Sequence, residues 1–462
     1  MAQPGIGTTS KGRAIERHRR IALTALASVA AKVISISTML ITVPLTLNYL
    51  GAERYGLWMT VSSVIAMMVF ADFGIGNGLM NAVTEAFGKD DEDAMRTHIV
   101  NAMVLLIMLS AAILFVFSIL YPAVPWGRFF NVSTSLAIQE AGPCLAAFMV
   151  CFAIGVPAAI VQRVQMGLQQ GFTSSLWQAA GSTLGLFATL LAIHLEAGLP
   201  WLVLAMAGSP VVSLLINGVV FFFIQRRDLL PEISSVSWVG MKRILQGGMI
   251  FFALQLAVSI GFASDNIILA RTLGSESVAQ YSVVARLFEG ILMIIGIIFA
   301  PFWPAYGEAK ARGDQRWIRK TLSGSMIATL VMTVGGSLLL VLFYKPIFAA
   351  WVGPEFALSL SLVALCSVWM ILKGLGLTYS MFLNGINAIR VQVVIATIFT
   401  IVSIIAKIFF VSRFGLNGLL AAMICCYTLS VVMPYAFLNS RLLPHEADWQ
   451  AGPERRFSIM RG

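Results

Sequence analysis

The chain has 462 residues, of which 58% are hydrophobic and only 11% are charged, and its mean hydropathy is +0.87. Soluble domains carry roughly 25% charged residues, so this composition excludes an ordinary soluble protein. The net charge is +10, but the basic residues lie in short stretches between apolar runs. That placement indicates membrane topology and argues against a nucleic-acid partner.

Apolar runs long enough to cross a bilayer as a helix, about 20 residues each, recur along the chain. They predict about twelve spans, at 21–47, 57–84, 99–121, 138–162, 173–195, 200–224, 248–271, 278–304, 321–344, 357–383, 391–412 and 418–438. The fold class expected is therefore an all-α polytopic membrane protein.

The spans divide the chain into five parts. These are a basic N-terminal segment (1–20), a first lobe (21–224), a linker with an interfacial helix (225–247), a second lobe (248–438) and a C-terminal tail (439–462). Twenty-two lysines and arginines fall on one side of the spans and five on the other. The positive-inside rule then predicts that both termini are cytoplasmic.

Short motifs recur in the same order in both halves, which predicts two parallel six-helix repeats around a central cavity. The matching pairs are Leu50–Glu53 with Leu273–Glu276, Glu85–Ala86 with Glu308–Ala309, and Gly198–Met206 with Gly415–Met423.

Nothing in the sequence indicates a catalytic site, a metal site or a cofactor. All five cysteines lie inside apolar runs, and the four histidines show no metal-ligand spacing. No phosphate-binding GxxxxGK[ST] loop occurs, so ATP hydrolysis by this chain is not expected. We therefore expect a transporter and not an enzyme.

The informative residues are polar and ionisable groups inside the spans, because each charge costs about 2.5–3.5 kcal/mol at a helix centre. The predicted substrate-binding residues are Lys32, Gln255, Arg271, Arg286, Lys373 and Lys407. The predicted ion-coupling or gating residues are Asp72, Glu85, Asp265, Glu289 and Glu308.

Lys32 has the strongest pattern of these. Ser28, Lys32, Ser35 and Thr38 recur at spacings of three and four residues, which gives the first span one polar face. This face indicates a helix that lines a cavity. The alternative is hydrogen bonding between helices within one lobe.

The other charges also have two explanations each. Arg286 and Glu289 are three residues apart and would either neutralise each other or take part in gating. Lys373 and Lys407 have no carboxylate one turn away, so they either pair across helices or bind an anion. Asp72 would either pair with Lys32 or couple a proton or cation.

The repeat-related carboxylates Glu85 and Glu308 lie at span ends beside basic loops. The expectation is an exposed position at the membrane surface, and the alternative is a latch between the lobes.

Several stretches resemble bacterial polysaccharide flippases, which belong to the multidrug, oligosaccharidyl-lipid and polysaccharide exporter superfamily. The stretches are Leu50–Trp58, Asp72–Ile75, Asp265–Ile268, Tyr281–Arg286, Leu383–Gly385 and Phe414–Gly418.

This resemblance implies a flippase of the bacterial inner membrane that moves a polyprenyl-diphosphate-linked oligosaccharide from the cytoplasmic to the outer leaflet by alternating access. It also implies coupling to a proton or cation gradient. The expected partners are the lipid-linked glycan, membrane lipids and polysaccharide assembly proteins such as a polymerase, and the chain is expected to be a monomer.

Two alternatives remain. A multidrug exporter of the same fold would favour organic cations, but the spans carry more basic than acidic groups. A membrane-embedded glycan polymerase or ligase would need a sizeable outer loop, and the longest such loop, residues 122–136, is short.

Overall fold

The computed structural model describes residues 10–66, 72–130, 132, 134–273, 275–351 and 359–442, and in these ranges it contains helices and turns but no strand. Parts of both predicted terminal segments, residues 1–9 and 443–462, lie outside these ranges. The helices are α1 (Ser10–Ala66), α2 (Ile75–Gly88), α3 (Glu92–Leu120), α4 (Trp126–Phe129), α5 (Ser135–Ala158), α6 (Ile160–Gly167), α7 (Gly171–His194), α8 (Leu199–Val219), α9 (Trp238–Leu273), α10 (Ser275–Phe299), α11 (Phe302–Ala311), α12 (Gln315–Leu342), α13 (Tyr344–Trp351), α14 (Leu360–Gly385), α15 (Ile389–Tyr427) and α16 (Met433–Leu442).

Within the described residues, ten helices are long and apolar enough to cross a membrane, which confirms the all-α polytopic fold class. Two predicted spans are not counted separately: 391–412 and 418–438 lie in one helix, α15, and 57–84 is divided between the end of α1, residues outside the described ranges and α2. In α1 and α15 the chain turns at Gly51 (φ 74°) and Gly415 (φ 60°) without leaving helix for long. Only glycine adopts such backbone angles readily, so these two residues separate consecutive predicted spans.

The chain forms two compact units. The first contains residues 1–253 together with two later segments, Ala300–Arg312 and Asn384–Asn387. The second contains Leu254–Phe299, Gly313–Leu383 and the rest of the chain from Ala388.

Helices α1 and α7 of the first unit are joined by matched small polar side chains. Ser28 and Ser35 of α1 hydrogen-bond Ser175 and Ser182 of α7, each at 2.9 Å between hydroxyl oxygens. Small residues allow such close approach of membrane helices, and their hydroxyls satisfy one another away from water. Part of the polar face of α1 therefore serves packing within the unit, as the alternative explanation held.

An arginine–carboxylate pair fixes the turn after Gly51. Arg54 donates from Nε and Nη2 to the two carboxylate oxygens of Glu140, at 2.6 and 2.7 Å. Glu140 Oε1 also accepts the backbone N–H of Leu199 at 3.0 Å, at the start of α8. The pair therefore ties α1, α5 and α8 together at one end of the unit.

We expect Arg54→Ala to lower the free energy of unfolding by about 2–3 kcal/mol, because the buried Glu140 would keep only the Leu199 N–H as a donor among the described residues. Thermal unfolding of the purified protein in detergent measures this loss. Arg128→Ala, an exposed arginine of α4, is the control and should change little. Equal stability of the two variants would contradict the assignment.

The linker between the halves is held by ion pairs. Arg226 binds Asp228, and this hydrogen bond lowers the pKa of the Asp228 carboxyl. Arg96 donates to the Asp228 carbonyl at 2.7 Å. The predicted interfacial stretch is the beginning of α9 itself, where Trp238 and Val239 are 71% and 77% exposed.

Candidate functional site

A buried ion pair lies within the second unit, between α9 and α15. Lys407 Nζ is 2.5 Å from Asp265 Oδ1, and the two side chains are 0% and 5% exposed. Lys407 also donates to the Gly261 carbonyl at 2.7 Å, while the Tyr281 hydroxyl donates to Asp265 Oδ2 at 3.0 Å. Lys407 is thus engaged by its own protein and is not open to an anion, in contrast to its predicted substrate-binding role.

A buried ion pair of this kind fixes the relative position of two helices but adds little net free energy of folding. Removing two charges from water costs several kcal/mol each, and their attraction offsets this only with further hydrogen bonds. Here both charges have such bonds, from Tyr281 and to Gly261. The arrangement holds the turn of α9 around Gly261–Asp265 at a fixed position on α15.

Lys373 of α14 is held more loosely. Its Nζ lies 3.9 Å from Glu289 Oε1 and 5.0 Å from the centre of the Phe262 ring. The Lys373 side chain is 27% exposed and that of Glu289 is 55% exposed. Glu289 therefore approaches Lys373 on another helix, and the predicted pair with Arg286 is not among the ion pairs of the described residues.

Three predicted substrate-binding residues are exposed on helices that qualify as membrane spans. Lys32 lies on α1, Arg271 on α9 and Arg286 on α10, and all three have exposed side chains. Among the described residues none of the three has an ion-pair or hydrogen-bond partner. Gln255 is partly buried, and its Oε1 has no hydrogen-bond partner within the described part of the chain.

Glu308 is the centre of a buried ionic cluster in the first unit. We use this term for Arg17, Asp90, Gln169, Glu308 and Arg312. Glu308 Oε2 accepts from Arg17 Nε at 2.5 Å and from Gln169 Nε2 at 3.0 Å, and Oε1 accepts from Arg312 at 2.6 Å. Arg312 also donates to Asp90, and these hydrogen bonds raise the pKa of the Arg312 guanidinium. Glu308 is only 5% exposed, so the expected surface position is wrong for this residue.

The remaining two carboxylates behave differently. Glu85 is exposed and binds Lys89 one turn away at 2.5 Å, as expected of a surface carboxylate. Asp72 accepts from the backbone N–H of Gly74 at 2.9 Å and of Gly76 at 3.3 Å, so it caps α2. Asp72 and Lys32 do not form an ion pair within the part of the chain that the structure describes.

Sequence reasoning missed three residues that the structure places at these sites. Arg17 and Tyr281 complete the two buried networks, and Arg163 lies near Asp72. Arg163 could have been found from the sequence, because it is a lone charge between two apolar runs. It lies on the side of the spans that holds most of the lysines and arginines. Arg17 and Tyr281 could not have been found in this way, since an arginine in a basic segment and a tyrosine in a span are ordinary.

Comparison with known proteins gives a consistent picture. A family model described as polysaccharide biosynthesis protein matches residues 21–308. A Salmonella typhimurium protein named as a candidate O-antigen transporter is 21% identical over 419 residues, which cover 88% of this chain and 94% of that protein. A Yersinia pseudotuberculosis protein named as a candidate O-antigen export protein is 19% identical and covers 89% and 94% of the two chains.

Solved structures show the fold. A multidrug resistance MATE family transporter of the MOP superfamily, in an outward-facing conformation, matches with a TM-score of 0.75 at 17% identity, over 92% of this chain and 96% of that chain. A MOP superfamily transporter from Pyrococcus furiosus, whose binding pocket is described as having reversed polarity, matches over the same shares with a TM-score of 0.74 at 15% identity. Since the family model covers well over half of the sequence, the chain belongs to the polysaccharide biosynthesis protein family.

Proposed function

We propose that this membrane transporter is a flippase for a polyprenyl-diphosphate-linked oligosaccharide, moving it from the cytoplasmic to the outer leaflet of a bacterial inner membrane by alternating access. The observation that carries the proposal is similarity over nearly nine-tenths of the chain to proteins named for O-antigen transport. In this proposal the lysine- and arginine-rich side of the helices, with both termini, faces the cytoplasm.

The exposed basic residues support an anionic cargo. Lys32, Arg271 and Arg286 stand on apolar helices without a carboxylate partner among the described residues. A charge in that position is costly against lipid, so such residues normally face water or a bound ligand. A diphosphate accepts several charge-assisted hydrogen bonds from such groups.

An exporter of organic cations with the same fold is less well supported. Asp265 is neutralised by Lys407, and Glu289 faces Lys373. The two carboxylates predicted inside the second unit's spans, Asp265 and Glu289, are thus each opposed by a lysine, which disfavours a large organic cation as cargo.

Deletion of the gene tests the proposal. The lipid-linked precursor is expected to accumulate in the cytoplasmic leaflet and surface glycan to disappear, with both restored by a plasmid copy. Unchanged surface glycan in the deletion strain would contradict the proposed cargo.

Lys32→Ala tests the proposed contact with cargo. We expect complementation of the deletion strain to fall at least about tenfold, the loss of one charge-assisted hydrogen bond, while the amount of protein in the membrane stays the same. Lys32→Arg should retain most activity. Lys320→Ala, at an exposed lysine of α12, is the matched control. Full activity of Lys32→Ala would show that Lys32 does not contact the cargo.

Coupling to a proton or cation gradient is part of the same proposal, and Glu289 is the carboxylate we assign to it. Glu289 is half-exposed and only loosely paired, so it is able to exchange its partner. Transport into vesicles with an imposed gradient, compared between wild type and Glu289→Gln, measures this role. Equal gradient dependence in the two proteins would remove Glu289 from the mechanism.

A further inference from the structure

A cavity of about 380 Å³ lies inside the first unit, apart from the ionic cluster. Its wall comes from α2, α3, α5, α6 and α8 and is mostly apolar, with Phe148, Cys151, Phe152, Val156, Ala207 and Val211 among its residues. The charged side chains that line it are Asp72 and Arg163. Cavities of this volume are in the range that holds small-molecule or cofactor groups.

The Arg163 guanidinium is open to this cavity. Among the described residues it has no hydrogen-bond acceptor and no carboxylate within ion-pair distance. Gly76 separates it from Asp72, since a Cβ atom built on Gly76 would lie 2.9 Å from Asp72 Oδ2 and 3.0 Å from Arg163 Nε. The missing side chain at Gly76 lets both charged groups reach the cavity.

The negative charge of Asp72 is already offset by backbone. Its two carboxylate oxygens accept the N–H groups of Gly74 and Gly76 at the N-terminus of α2. A helix N-terminus carries roughly half a positive elementary charge, so it stabilises a carboxylate there without an arginine. Arg163 therefore remains available to another anion.

The lining of the cavity restricts what that anion belongs to. Its wall includes Phe148 on α5 and Val211 on α8, and apart from Asp72 and Arg163 the lining residues are apolar or glycine. This lining suits a charged group attached to an apolar chain better than a polar ligand.

We propose that this cavity binds a phosphate-bearing lipid, with Arg163 donating to the phosphate oxygens and the apolar wall covering the first part of the hydrocarbon chain. The planar guanidinium binds phosphate through two parallel hydrogen bonds. The lipid is either a membrane phospholipid or a polyprenyl phosphate. The site does not depend on the flippase function proposed above.

Native mass spectrometry of the purified full-length protein, titrated with lipids in detergent, tests the site. The probes are phosphatidylglycerol and a polyprenyl phosphate, with diacylglycerol and the free polyprenol as matched lipids without phosphate. At least one phosphate lipid should bind more tightly than its neutral counterpart. Arg163→Ala should weaken that binding about tenfold, as expected for losing one strong charge-assisted contact.

Further variants separate binding from folding. Arg163→Lys should keep part of the affinity, whereas Ala207→Phe fills the apolar wall and should weaken binding with the arginine still present. Arg163→Gln replaces Arg163→Ala if the latter does not elute as a single species, and Arg128→Ala is the control outside the cavity.

The outcomes are distinct. Preference for phosphatidylglycerol assigns the site to bulk lipid, preference for polyprenyl phosphate assigns it to a cargo-like lipid, and either result supports the proposal. Equal binding by wild type and Arg163→Ala, or equal binding of lipids with and without phosphate, would overturn it. If Arg163→Ala does not bind the lipid but still supports normal surface glycan, the flippase function proposed above is unaffected.

Discussion

Lys407→Met is expected to lower the free energy of unfolding by about 3–5 kcal/mol, because it leaves the buried Asp265 carboxylate without its counter-charge. Asp265 is 4% exposed and would keep the Tyr281 hydroxyl as a donor. Asp265→Leu should cost a similar amount, since among the described residues it leaves the fully buried Lys407 ammonium bound to only the Gly261 carbonyl and Ser264. Thermal or denaturant unfolding in detergent measures both losses.

The double variant Lys407→Met with Asp265→Leu distinguishes a paired charge from general packing damage. Replacing both partners by apolar groups of similar volume is often neutral, so the double variant should be more stable than either single one. The coupling energy should therefore be at least about 3 kcal/mol, because the double variant loses less than either single variant loses alone. Additive losses would show that the two charges do not depend on each other.

Glu308→Ala is the second substitution with a large expected effect. It removes the shared acceptor of Arg17, Gln169 and Arg312, and leaves the 2% exposed Arg17 without this carboxylate. We expect the free energy of unfolding to fall by about 3 kcal/mol or more, as for other buried pairs broken on one side. Cleavage of the chain by a protease at the α11 end should increase in parallel.

The repeat supplies the control for this experiment. Glu85 is the sequence counterpart of Glu308, but its pair with Lys89 is half-exposed. An exposed pair of this kind contributes about 0–1 kcal/mol to stability, so Glu85→Ala should hardly change the free energy of unfolding. Equal losses at the two positions would contradict the different roles that the structure gives them.

The fold class could be predicted from the sequence because hydrophobicity over 20 residues is a local property. No local property of the sequence predicts which charged residues on distant helices form an ion pair. Lys407 pairs with Asp265, and each residue alone looks like an unpaired charge in an apolar run. The prediction left open whether Lys407 binds an anion, and only the positions of α9 and α15 decide that its partner is a carboxylate.

Repeat symmetry was a misleading guide for Glu85 and Glu308. The two occupy equivalent positions in the sequence, yet one is exposed and the other is surrounded by Arg17, Gln169 and Arg312. The difference comes from Arg17 of α1, because the repeat-related position in the second half is Gly240 at the start of α9, which has no side chain to donate. A repeat shared by both halves therefore does not predict contacts, such as those of Arg17 and Gln169 with Glu308, that form at only one of the two repeat-related positions.

The ionic cluster has a consequence for biosynthesis. Arg17 and Glu308 are 291 residues apart in the chain. At a synthesis rate of about 5–20 residues per second, Arg17 waits roughly 15–60 s for its carboxylate after it leaves the ribosome. During that interval the start of α1 lacks the Glu308 carboxylate, so helices α1–α8 are synthesised before that end of their own unit is complete. A ribosome stalled before Glu308 would therefore leave a nascent chain that quality-control proteases are able to distinguish from the finished protein.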